Sequence, residues 1–586
     1  MKFAEFCETL ERVEATPKRL KMMAILGEMF KKIPTAEMDR AIYLLQGGIA
    51  PPHTGLEVGL GEKFVAEAAG RAAGRSRADV EKDYKETGDL GLTAERLLRK
   101  RPRGLVFRPP LTVAEVFEAF ERMARASGPG SQETRIDLLT GLLSAATPRE
   151  GRYLARIPVG RLRLGVGDAT ILEALSAREA GDKSLKEELE RAYNLCSDLG
   201  LVAKTLAESP AKLKRFKPRI GSPIRPALAE RLPNAEEIIE RLGPCMAEAK
   251  YDGFRIQVHK AGERVELFSR RLERTTPMFP EIVEGVRKQL GGEVIVEGEA
   301  LSYDDKSGVY LPFQETMQRK RKHGVAEAAK ELPLRLFAFD LLYQDGEDLT
   351  GVPYGERRKR LERAVSPGPA VSLAEARPVS TAKALDAFFK KCVNAGLEGI
   401  IAKDLSAPYV AGARKFAWVK LKKSYQGGMA DTVDLAVVGY YKGRGQRAEF
   451  GIGTLLGAVY DPGSDAFKTV ARMGSGLTEE EMVKMKGLLD GVALPKKPKS
   501  VDSVFEPEPD VWCEPRYVVE VAADEVTRSP QHTCGREGNE PGYALRFPRI
   551  VGRVREDRRP EDATTVREIV ELFRMQKRAK ITGGKS

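Results

Sequence analysis

Asparagine is nearly missing from this chain: its 586 residues hold four, beside eleven glutamines, while 31% of the sequence is charged. Side-chain amides are the groups lost to deamidation when hot, so this bias predicts a protein adapted to high temperature. Cysteine is scarce as well. The six cysteines, at 7, 196, 245, 392, 513 and 534, lie far apart with no Cys-x-x-Cys pair. That spacing excludes a zinc ribbon and argues against a disulfide framework, so they are expected to be small buried side chains. No run of eighteen apolar residues occurs, and Met1-Lys2-Phe3-Ala4-Glu5 lacks the apolar core of a signal peptide. Neither a membrane span nor secretion is expected, and the protein reads as soluble and cytoplasmic.

What the chain has in excess is positive charge. Lys and Arg number 97 against 85 Asp and Glu, a formal net charge of +12, which points to polyanionic partners without specifying a fold. The length exceeds what one hydrophobic core can serve, so several domains are expected.

From residue 1 to about 215 the apolar spacing is helical almost throughout. Thr16-Pro17 reads as an N-cap with Pro at the first helical position, and Thr112-Val113-Ala114-Glu115 as a capping box. Arg161-Leu162-Arg163-Leu164-Gly165-Val166-Gly167-Asp168 puts two arginines before a glycine turn that opens a helix. Free N–H groups at such a start can hold a phosphate, although a plain turn capped by Asp168 fits the same residues. Five cations, Lys212, Lys214, Arg215, Lys217 and Arg219, then precede a proline-rich stretch and read as a basic linker. From about 221 to 425 strands (Val294 to Val296, Leu334 to Phe339, Gly399 to Ile401) alternate with helices (Pro280 to Leu290, Gly355 to Ala364, Ala382 to Ala395), an α/β pattern. From about 430 a β-rich run includes Asp434 to Tyr440, Thr454 to Tyr460 and Tyr517 to Val521, with helices near Glu479 to Leu489 and Val566 to Lys580. That suits a small barrel such as an OB-fold.

One lysine organises the α/β part. In Glu248-Ala249-Lys250-Tyr251-Asp252-Gly253-Phe254-Arg255, apolar and polar residues alternate on either side of Asp252-Gly253, so two short strands should meet at a turn with Lys250 ending the first. A nucleophilic lysine must shed its proton, and a dry pocket or neighbouring cations help it to do so. Lys-x-Asp-Gly alone also fits an ordinary hairpin with an exposed lysine. Downstream come Ser269-Arg270-Arg271-Leu272-Glu273, Val296-Glu297-Gly298-Glu299-Ala300, Leu336-Phe337-Ala338-Phe339-Asp340, Leu397-Glu398-Gly399-Ile400-Ile401-Ala402-Lys403, Phe416-Ala417-Trp418-Val419-Lys420-Leu421-Lys422, Arg546-Phe547-Pro548-Arg549 and Glu561-Asp562-Ala563-Thr564-Thr565.

In order and identity these segments resemble the ATP-dependent DNA ligases of the covalent nucleotidyltransferase superfamily, in their archaeal and eukaryotic replicative form. The resemblance spans all three regions. It implies a helical DNA-binding domain over 1–220, an α/β adenylation domain over 221–428 and an OB-fold domain over 429–586. It implies that Lys250 attacks the α-phosphorus of ATP, expels pyrophosphate and carries AMP to a 5′-phosphate, which the 3′-hydroxyl then attacks. By the same resemblance Arg255, Arg270, Arg414, Lys420 and Lys422 are the cations of the nucleotide pocket. Glu299 and Glu398 are the Mg²⁺ ligands, Mn²⁺ being an alternative. Glu248 and Phe339 meet the adenine, with Phe339 preferred to Phe337 on the family's Phe-Asp pairing, and Asp252 is the carboxylate beside the lysine.

DNA contacts fall by resemblance to Gly165 and Gly167, to Phe313, and to Arg546, Phe547 and Arg549. Arg553, Arg555, Arg558 and Arg559 extend the last cluster as further phosphate contacts. His532-Thr533-Cys534 looks metal-like but supplies too few ligands and reads as loop. Glu297-Gly298-Glu299 replaces the commoner Asp-Gly-Glu and keeps Glu299 in place. The implied partner is nicked duplex DNA met by a monomer in the nucleoid, in replication, repair and recombination, with a sliding clamp as partner by analogy alone. ATP is expected over NAD⁺, and ADP stays open. RNA ligases and capping guanylyltransferases share Lys-x-Asp-Gly without the long helical region before it, and an inactive DNA-binding scaffold would have lost the acids or the cations. The run Lys422 to Ala430, with Gly427-Gly428, is expected to hinge domains that close as a ring on DNA.

Overall fold

The computed structural model describes residues 1–16, 18–87, 89–101, 109–160, 162–304, 309–310, 316, 319, 324–422, 432–443 and 450–582. The chain divides into two compact units. The first comprises Met1–Tyr193, Asp198–Phe216 and Leu494–Ser500; the second comprises Asn194–Ser197, Lys217–Ala493 and Val501–Ser586. Among the described residues no helix is long and apolar enough to cross a membrane. All six cysteines are buried and free, as expected for small core side chains.

The first unit is helical. Its first helix, α1 (Phe3–Glu14), buries Phe3, Phe6, Leu10 and Val13 on one face. The next, α2, is Arg19–Lys32, with Lys18 rather than Thr16 at its N-cap position. The Thr16 hydroxyl instead accepts the Lys18 N–H at 3.2 Å, a local turn that competes with the cap role. The capping box at Thr112 is present: Glu115 N–H donates to the Thr112 hydroxyl at 3.2 Å and Thr112 N–H to Glu115 at 2.8 Å, opening α3 (Val113–Arg125). A further helix, α4 (Asp168–Ala180), starts at the glycine turn, with Gly167 as N-cap and Gly165 at φ 68°. Asp168 is its first residue, not its cap, and accepts from Gln46 and Tyr193 at 3.0 and 2.5 Å.

The second unit opens with two sheets. In chain order their main strands are β1 (Leu228–Arg231), β2 (Cys245–Lys250), β3 (Phe254–Ala261), β4 (Arg264–Ser269), β5 (Val294–Asp304), β6 (Leu334–Gln344), β7 (Ala376–Val379), β8 (Gly399–Asp404) and β9 (Arg414–Lys422). One sheet has the order β1-β9-β8-β2-β7; the other is built on β4-β3-β5-β6. The strands flanking Asp252-Gly253 thus belong to different sheets and do not form a hairpin. Alternation reveals two strands but not what each pairs with, and here the turn carries the chain from sheet to sheet. Each sheet has its own core. Ala247, Ala249, Leu385, Phe389 and Ile400 pack on the first, and Ile256, Val258, Val286, Val296, Leu336 and Leu361 on the second.

The rest of the unit holds a larger sheet, with β10 (Thr432–Tyr441), β11 (Thr454–Asp461), β12 (Ala466–Met473), β13 (Val518–Ala522) and β14 (Arg549–Val554) among its strands, and a separate pair, Glu525–Ser529 with Gly542–Arg546. Helix α5 (Glu479–Asp490) buries Met482, Met485 and Leu489 against it. The terminal helix α6 (Val566–Thr582) adds Ile569 and Leu572 to the same core.

Candidate active site

Strand register assembles the site. Lys250 on β2 lies opposite Gly399 on β8, and Gly399 opposite Lys422 on β9. Two residues along, Glu248 and Lys420 flank Ile401 in the same way. Glu398, just before Gly399, is therefore held between two lysines. Its carboxylate accepts from the Lys250 and Lys422 ammonium groups, one on each oxygen. Enclosure would raise that carboxyl, but Lys250 and then Lys422 hold it well below the usual range.

The three residues sit in a cavity of ≈ 230 Å³ that both sheets and the C-terminal region line. Glu248 and Phe339 line one part of it, with Trp418 and Lys403. Phe337, the other candidate ring, is stacked on Tyr251 at 4.5 Å in the core of the first sheet. Arg255 and Glu299 come from strands β3 and β5 of the second sheet, and Arg270 from the turn directly after β4. Arg255 donates to the Ala227 carbonyl and to Glu297 at 2.8 Å each, and its guanidinium lies 5.4 Å from the Phe339 ring centre. Arg270 has a buried Nε with no hydrogen-bond partner. Burial first, then the nearby Arg558 charge, push this arginine down to about 9. A buried guanidinium so under-compensated suits an anionic ligand.

Glu299 accepts the Gly253 N–H at 3.2 Å. Burial pushes its carboxyl up to about 7 against the pull of Lys250 and Arg255. Among the described residues no group of three or more His, Cys, Asp or Glu is placed to hold a metal ion. Glu299 and Glu398 both line the cavity, and as hard oxygen donors they are of the type that Mg²⁺ takes one or two of, completing its shell with phosphate oxygens and water.

Arg414 and Lys420 meet a residue that stands in none of the sequence motifs, Glu568. Both ion-pair with Glu568, Lys420 at 3.7 Å. Glu568 is buried, and its other oxygen accepts the Thr565 N–H at 2.9 Å, while Thr565 Oγ1 accepts the Glu568 N–H at 3.3 Å. That is a capping box at the start of α6. Thr565-Val566-Arg567-Glu568 carried this signal, but only the helix, not its partner, could be read from it.

The C-terminal arginines whose side chains are described divide in two by their partners, Arg553 lying outside them. Arg555 pairs with Asp557 at 2.9 and 3.0 Å, Arg558 with Asp434, and Arg559 with Asp562 at 3.0 and 3.2 Å. Arg555 and Arg558 line the cavity rather than an open face. Arg546 and Arg549 are exposed and pair with Glu525 and Asp524 at 2.8 and 3.1 Å. Phe547 between them is 62% exposed, at φ 50°. Gly165 and Gly167 belong to the helical unit. Phe313, Arg161 and the hinge segment from Lys423 to Ala430 lie outside the described residues.

Against this geometry stand the comparisons with known proteins. Residues 2–176 match the family description "DNA ligase N terminus", 226–422 "ATP dependent DNA ligase domain", and 448–558 "ATP dependent DNA ligase C terminal region". The chain is 50% identical over 583 residues to the "Probable DNA ligase" of Dictyoglomus thermophilum, with 99% of each covered. It is 44% identical to "DNA ligase 2" of Thermofilum pendens, with 98% of each covered. To the "DNA ligase" of Pyrobaculum calidifontis it is also 44% identical, over 99% of this chain and all of the relative. The chain belongs to the ATP-dependent DNA ligases. Nick sealing through an adenylated intermediate is that family's reaction, and ATP its cofactor.

Proposed function

We propose that Lys250 is the residue that takes AMP from ATP and passes it to the 5′-phosphate of a nick. The observation that carries this is the placing of Lys250 and Lys422 on the two oxygens of one carboxylate, in a cavity also lined by Arg255, Arg270 and Lys420. The ammonium of Lys250 must leave Glu398 and lose its proton before it attacks the α-phosphorus. The attack forms an N–P bond, breaks the bond to pyrophosphate and puts charge on phosphoryl oxygens that Lys422, Lys420 and the arginines would meet. Glu248 and Phe339 hold the base, and Asp252 stays beside the nucleophile. Mg²⁺, held by Glu299 and Glu398 and by the phosphates, would neutralise charge on the triphosphate and leaving group.

Further out, Gly165, Gly167, Phe313, Arg546, Phe547 and Arg549 are assigned to nicked DNA. The domains are drawn at 1–220, 221–428 and 429–586, the last as an OB-type barrel, in support of which β10 to β12 form an antiparallel run with a packed helix. The enzyme acts as an intracellular monomer in replication, repair and recombination. Incubation with labelled nucleotide tests the core of this reading. Wild type is expected to acquire covalent AMP from ATP and no GMP from GTP, and Lys250→Ala to acquire neither while still binding a nick. AMP transfer to Lys250→Ala would place the nucleophile elsewhere.

A further inference from the structure

Lys403 ends the motif that begins at Glu398, yet the chemistry above gives it nothing to do. It is fully buried under the part of the cavity lined by Glu248 and Phe339. A buried ammonium is costly unless it is paired and hydrogen-bonded. Here it is. One N–H donates to Glu248 Oε2 at 2.6 Å and one to the Phe339 carbonyl at 3.1 Å. The charge also lies 4.2 Å from the Trp418 ring centre, 4.6 Å from Tyr354 and 4.8 Å from Phe339, within cation–π range. Two of the three donors of Lys403 are thus committed to Glu248 and Phe339 and its charge is enclosed by aromatic rings, so it acts through the groups it holds.

What it holds is the acceptor. A carboxylate offers about four lone-pair sites. On Glu248, Oε1 takes the Tyr354 hydroxyl and, at 3.4 Å, Arg358, and Oε2 takes Lys403. Three donors fill three sites and leave one acceptor site on a side chain that lines the cavity. The donors come from a helix (Tyr354–Ala364) and from β8, so the carboxylate is clamped from two elements. A single open acceptor accepts an amino N–H and repels a carbonyl oxygen, the difference between the 6-position of adenine and that of guanine.

We propose that Lys403 is the positioning residue for base selection: it fixes Glu248 as an acceptor and Phe339 by its backbone, so that the pocket takes a 6-aminopurine nucleotide. This rests on the assignment of the base to Glu248 made above.

The test is a double-mutant cycle on the rate of covalent nucleotide transfer, with ATP, GTP and purine riboside triphosphate, which lacks the 6-amino group. Melting curves run alongside it. Wild type should prefer ATP over the purine riboside analogue by about tenfold or more. Lys403→Met should cut that ratio by about tenfold, and Lys403→Gln, which keeps a donor, by less. Glu248→Gln should lower the ratio, and Glu248→Gln/Lys403→Met should equal Glu248→Gln alone, because the lysine works through the carboxylate. The double variant removes both buried charges together, so it reports even if Lys403→Met alone does not fold.

A Lys403→Met enzyme slowed equally with all three nucleotides overturns the inference and leaves Glu248 in its role. So does a double variant with a ratio below that of Glu248→Gln. An unchanged ratio in Glu248→Gln means instead that the base is read elsewhere, and both readings fail.

Discussion

Gly253 is required by a distance rather than by a dihedral angle. A Cβ at this position would stand 2.5 Å from the Ala300 carbonyl oxygen and 2.9 Å from Leu301 Cβ, because the turn after Lys250 crosses directly over β5. Neither neighbour is a flexible side-chain end, so the backbone must yield. Its N–H also donates to Glu299, which ties the turn to a cavity acid. Gly253→Ala is therefore expected to slow covalent AMP transfer at least tenfold, by moving Lys250 off its line of attack, and to lower the melting temperature by several degrees. Labelling kinetics and a thermal melt on the same preparation check this. Wild-type kinetics in the variant would show that β5 can move aside.

At the scale of elements, much was legible in the sequence. The helices expected at Pro280, Gly355 and Ala382 are present as Pro280–Gln289, Tyr354–Ala364 and Ala382–Asn394, because periodicity and caps are local signals. Pairing is not local, so the two strands and the turn at Asp252-Gly253 were legible, with Lys250 ending the first, but not that they serve different sheets. For the same reason Glu568 stayed hidden: its capping box is written in four adjacent residues, but its ion pairs reach Arg414 and Lys420 more than a hundred positions away.

The loop at His532 shows the same limit and yields a prediction. It is buried, with its ring 4.9 Å from that of Phe505 and Nδ1 unpartnered. Burial lowers its pKa from 6.5 to about 4. Between those values the unfolded chain binds a proton that the folded one refuses, so stability present above pH 6.5 is lost as pH falls toward 4. The loss attributable to this ring is on the order of 3 kcal/mol. His532→Phe should flatten the stability curve over that window by a similar amount, read from denaturant midpoints at several pH values. Parallel curves would mean that the ring is hydrated in solution.

At the scale of the molecule the question is which of the excess positive charges are free to meet DNA. A net charge of +12 says little by itself, because the C-terminal arginines differ in how firmly they are held. The side chains of Arg555, Arg558 and Arg559 are 17%, 21% and 25% exposed, and those of Asp434, Asp557 and Asp562 with which they pair 10% to 20%. Those of Arg546 and Arg549 are 55% and 54% exposed. Exposed pairs contribute about 0–1 kcal/mol and exchange readily, whereas breaking an enclosed pair strands a charge. Arg546 and Arg549 should therefore trade their carboxylates for phosphates, and Arg559 should not.

Counterion release turns this into a slope, since each phosphate neutralised adds about −0.9 to the dependence of log K on log salt. In nicked-duplex titrations across a range of salt, Arg546→Ala and Arg549→Ala should each make the slope shallower by about 1, while Arg559→Ala should leave it unchanged. A shallower slope in Arg559→Ala would show that its pair with Asp562 opens on the duplex, and that the division between enclosed and exposed arginines does not survive binding.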